Sequence, residues 1–142
     1  MRIALLILVL LFLALAAYVR FAPSRGEDWH SNRLEPVEGE VREAGGYRIT
    51  VAGGREALAA FDRVARAAPR TEVLEGSIGE GAVTYVARSR IMGFPDYITA
   101  CLSEDGSRLT IHSRLRFGQS DLGVNRARTR DWLARAGLLD RA

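Results

Sequence analysis

From Ile3 to Val19 the chain carries no charged or strongly polar side chain, and Arg2 and Arg20 close the run on either side. A helix needs roughly 17 to 25 such residues to cross a hydrocarbon core, so the pattern predicts a membrane-spanning segment. Tyr18 and Phe21 stand where interfacial aromatic residues gather. Ala14-Leu15-Ala16 offers a small-x-small site of the kind a signal peptidase cuts. A signal h-region is usually only about 7 to 15 residues long, and the favoured reading is a retained anchor over residues 1–22. The short flank before the run suits a segment whose C-terminal side is exported, although Arg2 nearly balances Arg20 and Arg25 in the positive-inside comparison.

Residues 23–45 are polar and hold Pro23, Pro36 and Gly39, which predicts a tether. Trp29 stands out in it and is expected to pack on the domain. Periodicity then returns. Tyr47 to Val51 predicts a strand, and Gly53-Gly54 separates it from a helix over Arg55 to Ala68, where Leu58, Phe61, Val64, Ala65 and Ala68 form one apolar stripe that Pro69 ends. A short strand near Glu72 to Glu75 and a turn with Gly76, Gly79 and Gly81 lead into Ala82 to Arg90, where Val83, Tyr85 and Ala87 share a face opposite Arg88 and Arg90.

Asp105-Gly106 predicts a hairpin turn, because that pair suits two central residues with positive φ. The register that follows puts Leu102 opposite Leu109, Ala100 opposite Ile111 and Ile98 opposite Ser113 on a buried face. Cys101 opposite Thr110, Thr99 opposite His112 and Tyr97 opposite Arg114 then fall on the other face, expected to be solvated. Val124 to Ala136 predicts a last helix, capped by Ser120 or Asp121 and closed by Gly137. The order of elements predicts an α+β domain over residues 46–142: an antiparallel sheet of about five strands with two helices on one face.

Composition changes this picture little. All 20 basic residues are arginine, which suits bidentate anion contacts but also follows from GC-rich coding. Residues 26–142 hold 17 Arg against 17 acidic residues, so the domain lacks the excess charge that nucleic-acid binding needs. Its basic half is the C-terminal one. Cys101 is the single cysteine, which excludes an internal disulfide.

Ile91-Met92-Gly93-Phe94-Pro95-Asp96-Tyr97 and the run from Ser113 to Arg126, with its Ser-Asp-Leu-Gly-Val-Asn-Arg element, resemble the domain of unknown function 1499 family. The likeness covers about Tyr47 to Leu133. It implies a bacterial protein with an N-terminal apolar segment and carries no activity or catalytic residue with it. The expected place is the bacterial inner membrane, with residues 3–19 in the bilayer and the domain on the periplasmic side.

His30, His112 and Cys101 stand at no zinc-ligand spacing, and neither a metal nor a cofactor is expected. Period two aligns Arg108, His112, Arg114 and Arg116 on one strand face, with Arg88 and Arg90 exposed on another. With Ser120, Asp121, Asn125 and Arg126 of the next loop they form a candidate surface for an anionic ligand or an envelope partner protein. The structural alternative pairs Arg114 and Arg126 with Asp96 and Asp121, pinning the last helix to the sheet. A rival functional reading is a small hydrolase or transferase in which His112 works with Asp96 or Asp121.

Overall fold

The alternation of apolar and polar residues sorts the strands of this chain into one sheet with two chemically different faces. The computed structural model describes residues 1–141. Helix α1 (Arg2–Phe21) is followed by a single turn, α2 (Gly26–Trp29), then β1 (Glu40–Glu43), β2 (Gly46–Ala52), α3 (Arg55–Ala67), β3 (Thr71–Ser77), β4 (Ala82–Arg88), β5 (Pro95–Leu102), β6 (Arg108–Leu115) and α4 (Val124–Arg135). The six strands lie in the order β1-β2-β6-β5-β4-β3, every neighbouring pair antiparallel.

The architecture is the expected α+β one with one strand more. The added strand, β1, comes from the segment read as tether: Glu40-Val41-Arg42-Glu43 has one apolar residue, so it gives no periodic signal, yet it pairs with β2 as the sheet edge.

The hairpin has the predicted register, Leu102 opposite Leu109, Ala100 opposite Ile111 and Thr99 opposite His112. Its turn differs. Gly106 alone takes a positive φ, 69°, while the Asp105 carboxylate accepts bonds from the Ser107 amide and from the Ser103 and Ser107 hydroxyls. Pairing survives because a one-residue slip would turn the whole apolar set of β5 and β6 outward.

Helices α3 and α4 cover the apolar face. Phe61, Tyr85 and Trp132 meet there in tilted and edge-to-face pairs with centroids 5.8 to 6.3 Å apart, over Ile49, Ile98, Leu109 and Ile111. Burial pushes the Tyr85 hydroxyl far above its ordinary range, and its bond to Asp62 Oδ1, 2.8 Å, adds to the shift. The N-cap of α4 is Gly123, in a left-handed conformation, and not Ser120 or Asp121 as expected; Asp121, two residues earlier, still serves the helix start by accepting the amides of Gly123 at 3.0 Å and Asn125 at 2.7 Å.

The other face is buried too. Residues 22–37 run across it as a strap, so the segment read as tether is part of the fold. Trp29 stacks on Tyr97 with centroids 3.9 Å apart. His30 Nδ1 bonds the Thr84 hydroxyl at 3.0 Å, and the Val37 amide donates to Thr50. Gly76, with φ 85°, lies where a Cβ would collide first with the Ala82 carbonyl of β4 and then with the strap, at His30 Cε1, 2.7 Å away.

Because Phe61 is wholly buried in the aromatic cluster, Phe61→Ala is expected to cost about 3–5 kcal/mol. Urea titration in detergent should show a lower midpoint at unchanged slope; a midpoint equal to wild type would contradict this packing.

Candidate functional site

Strand parity decides which predicted site residues can meet. His112 and Arg114 leave β6 on the strap face, where Arg48, Thr99 and Tyr97 also point, and Arg116, just past the end of β6, reaches the same side. Asp96, one residue before Tyr97, points to the helix face, where its Oδ2 takes a 2.8 Å bond from Arg128 on α4. Burial raises the Asp96 pKa, and Arg128 opposes the rise. Asp121 is held at the start of α4. His112 therefore lies across the sheet from Asp96 and apart from Asp121, and the hydrolase reading loses its acid–base pair.

The expected arginine pairings are also different. Arg126 binds Glu40 through Nε and Nη2 at 3.0 and 2.8 Å, and Arg130 and the Tyr47 hydroxyl bind the other Glu40 oxygen at 3.0 and 2.7 Å. The bonds from Arg126 and then Tyr47 hold the Glu40 carboxyl down at about 2, while burial and Glu40 push Tyr47 up to about 12. This cluster joins β1 and β2 to α4. Asn125, fully buried, accepts from the Ser113 hydroxyl and from Arg128. Arg128 was not singled out in the sequence; its position three residues after Asn125 on one helix face was the available signal.

On the strap face, Arg114 Nη2 donates to the Trp29 carbonyl at 2.7 Å and to Thr99 Oγ1 at 2.9 Å, and the guanidinium lies 5.6 Å from the Trp29 ring centroid. Arg116 reaches the Pro23 carbonyl and the Tyr97 hydroxyl. The face expected to offer free arginines to solvent is thus occupied at its centre by the chain's own strap, because a row of threonines and a histidine flanked by Arg gives main-chain carbonyls and hydroxyls good partners. Arg88 donates to the Gly93 carbonyl, whereas Arg90 and Ser120 remain exposed.

His112 is 8 % exposed and its Nε2–H donates to Glu43 at 3.0 Å; Arg48 binds the other Glu43 oxygen at 3.1 Å. Burial, and then the charges of Arg114 and Arg48, lower the His112 pKa to about 4 despite Glu43. Arg48 and Arg114 each keep a buried Nε with no partner among the described residues. No three His, Cys, Asp or Glu side chains gather as a metal site among the described residues.

An open groove of about 670 Å³ lies at the other end of the strands, between strap residues 32–36, the β5–β6 hairpin, Arg55 and the turn at Glu80 and Gly81. Its walls mix Arg33, Arg55 and Arg108 with Glu35, Glu80, Glu104 and Asp105. Of the surface predicted from the sequence it holds Arg108 alone. The signal available was the polar cluster Ser103 to Arg108 facing the Pro36 segment, which has no periodicity to bring the two together.

A histidine held neutral in the folded state gives a definite pH dependence. The unfolded chain protonates His112 near 6.5 and the folded one only near 4, so the unfolded state binds more protons in that window and stability falls as pH drops through it. The urea midpoint of the His112→Gln variant should vary less between these pH values than that of wild type; parallel curves would show that His112 ionises equally in both states.

No curated protein matches the chain. Residues 34–135 match a family model described as a protein of unknown function, DUF1499, a span that begins in the strap, includes β1 and ends with α4. With most of its length covered by that match, the chain belongs to the DUF1499 family.

Proposed function

We propose that this chain is a membrane-anchored interaction module that holds a polar segment of an envelope partner protein in the groove between strap and hairpin. The observation that carries the reading is the groove itself, which stands at the opposite end of β5 and β6 from α1 and is walled by several separate elements. Its size is that of a ligand site. Three arginines against four carboxylates suit a segment carrying both charges better than a phosphate. The anchor is α1, 20 residues long and apolar enough to cross a membrane. The bacterial inner membrane as its place rests on the resemblance of the domain, and the periplasmic side on the short flank before α1.

A photo-cross-linking side chain at Glu35 or Ser103, and another on the exposed α4 surface at Ala127 as a control, test this in intact cells. The expected result is one discrete adduct from the groove positions, formed with a periplasmic protein and lost on Arg33→Glu together with Arg108→Glu. Equal capture from Ala127, or a cytoplasmic partner, would defeat the reading or its sidedness respectively.

A second reading draws on the two unpartnered guanidinium Nε atoms at Arg48 and Arg114, beside a single carboxylate, which suit a small anion at the edge of the strap face. Native mass spectrometry of the full-length protein should then show an adduct that a folded Arg48→Ala variant lacks; bare protein in both samples removes this reading.

A further inference from the structure

The end of the domain nearest α1 carries apolar side chains in the open. Ile91, between β4 and β5, is 87 % exposed, and Leu122, between β6 and α4, is 94 % exposed. Leu122 also holds a left-handed φ of 51°. A branched residue in that conformation costs energy, and a side chain so exposed recovers little of it by packing inside the domain.

Both loops stand beside the end of α1. Tyr18 meets Phe117 edge-on with centroids 6.2 Å apart, Phe117 lies 6.4 Å from Phe94, and Arg20 closes over Gly93, where a Cβ would meet its Nη1 at 3.1 Å. Val19 and Ala22 are buried. At 1.5 Å per residue α1 is about 30 Å long, the thickness of a hydrocarbon core. A bilayer around α1 therefore has its surface at the level of Tyr18 to Arg20, and so beside Phe94, Phe117 and the two loops.

At that level Arg20, Arg70, Arg88 and Arg90 line a pocket of about 290 Å³ with one carboxylate, Glu72. None of these four arginines has an ion-pair partner among the described residues. Guanidiniums so grouped complement a phosphate, which they bind with paired charge-assisted hydrogen bonds.

We infer that this edge docks the domain on the bilayer that holds α1: Ile91 and Leu122 enter the interfacial zone, and the arginine pocket takes the phosphate of an anionic lipid headgroup. The inference rests on α1 being a membrane anchor, and it makes the domain a body seated on the lipid surface instead of one swinging on a flexible leader.

The test uses the full chain in nanodiscs of phosphatidylcholine alone, or of phosphatidylcholine and phosphatidylglycerol in equal parts, with chain-brominated lipids as quenchers. Bimane is attached to Ile91→Cys, Leu122→Cys, Asp105→Cys at the far hairpin, and Leu10→Cys in α1. Cys101 stays in place because it is buried, and the wild-type chain measures its background. Strong quenching at positions 10, 91 and 122 with little at 105 is the expected result. Quenching at 10 but not at 91 and 122 overturns the docking and leaves the anchor standing, and no quenching at 10 overturns both. For the headgroup, native mass spectrometry reads the phosphatidylglycerol retained on release from mixed nanodiscs. Each arginine removed should weaken retention by about fivefold; Arg70→Asn combined with Arg90→Ala is the variant, since Asn tolerates the positive φ of Arg70. Retention equal to wild type, or phosphatidylcholine held as often as phosphatidylglycerol, overturns the pocket assignment.

Discussion

The bond from Arg114 to the Trp29 carbonyl closes the strap over the sheet, and the polar face of the domain depends on it. A sheet face rich in Thr, His and Arg can be buried only if each polar group finds a partner, since an unbonded hydroxyl or carbonyl taken from water costs several kcal/mol. The strap provides those partners. His30, Thr84, Thr99, Arg114 and the Trp29 carbonyl form one continuous path of hydrogen bonds, and Trp29 lays an apolar lid on Tyr97. The two layers flanking this sheet therefore work by different physics: α3 and α4 by excluded apolar area, the strap by directed bonds whose loss would strand their partners.

The same logic accounts for the arginines. Arg126 and Arg130 converge on Glu40 from α4, Arg128 holds Asp96 in a half-enclosed site, and Arg116 ties the Pro23 carbonyl to the sheet. A guanidinium suits this work because its fork can reach two acceptors in fixed directions while staying charged. Arginine richness in this domain is thus largely architectural, and four arginines outside these ion pairs line the pocket at the α1 end.

What could be read from the sequence was whatever had a period and a buried side. The β5–β6 register and the α3 stripe ended by Pro69 were legible, because apolar spacing and turn chemistry agreed with one another; Asp121 was legible as an acceptor for the start of α4, though the N-cap itself fell two residues later, at Gly123. The strap face was not. Thr50, Thr84, Thr99, Thr110 and His112 alternate with apolar residues as solvent-facing positions do, and nothing local distinguishes a threonine bonded to water from one bonded to a strap some seventy residues away. Asp96 is obscured by a different route: Phe94-Pro95 hides where β5 begins, although Tyr97 opposite Arg114 implies that the residue before it faces the helices. The segment from Phe21 to Gly45 read as linker because a strap held by carbonyls and a few aromatic anchors needs no hydrophobic periodicity.

The length of the strands acquires a meaning once α1 is set in a bilayer. β5 and β6 run eight residues each from the lipid edge to the hairpin, which at roughly 3.3 Å per residue is about 26 Å. On the docking proposed above, the sheet would act as a ruler, holding the groove at a constant height above the headgroups. A partner confined to the same membrane would have to present its segment at that elevation, so encounter becomes a search in a plane and partners of the wrong stature are filtered out by geometry before any side chain is compared.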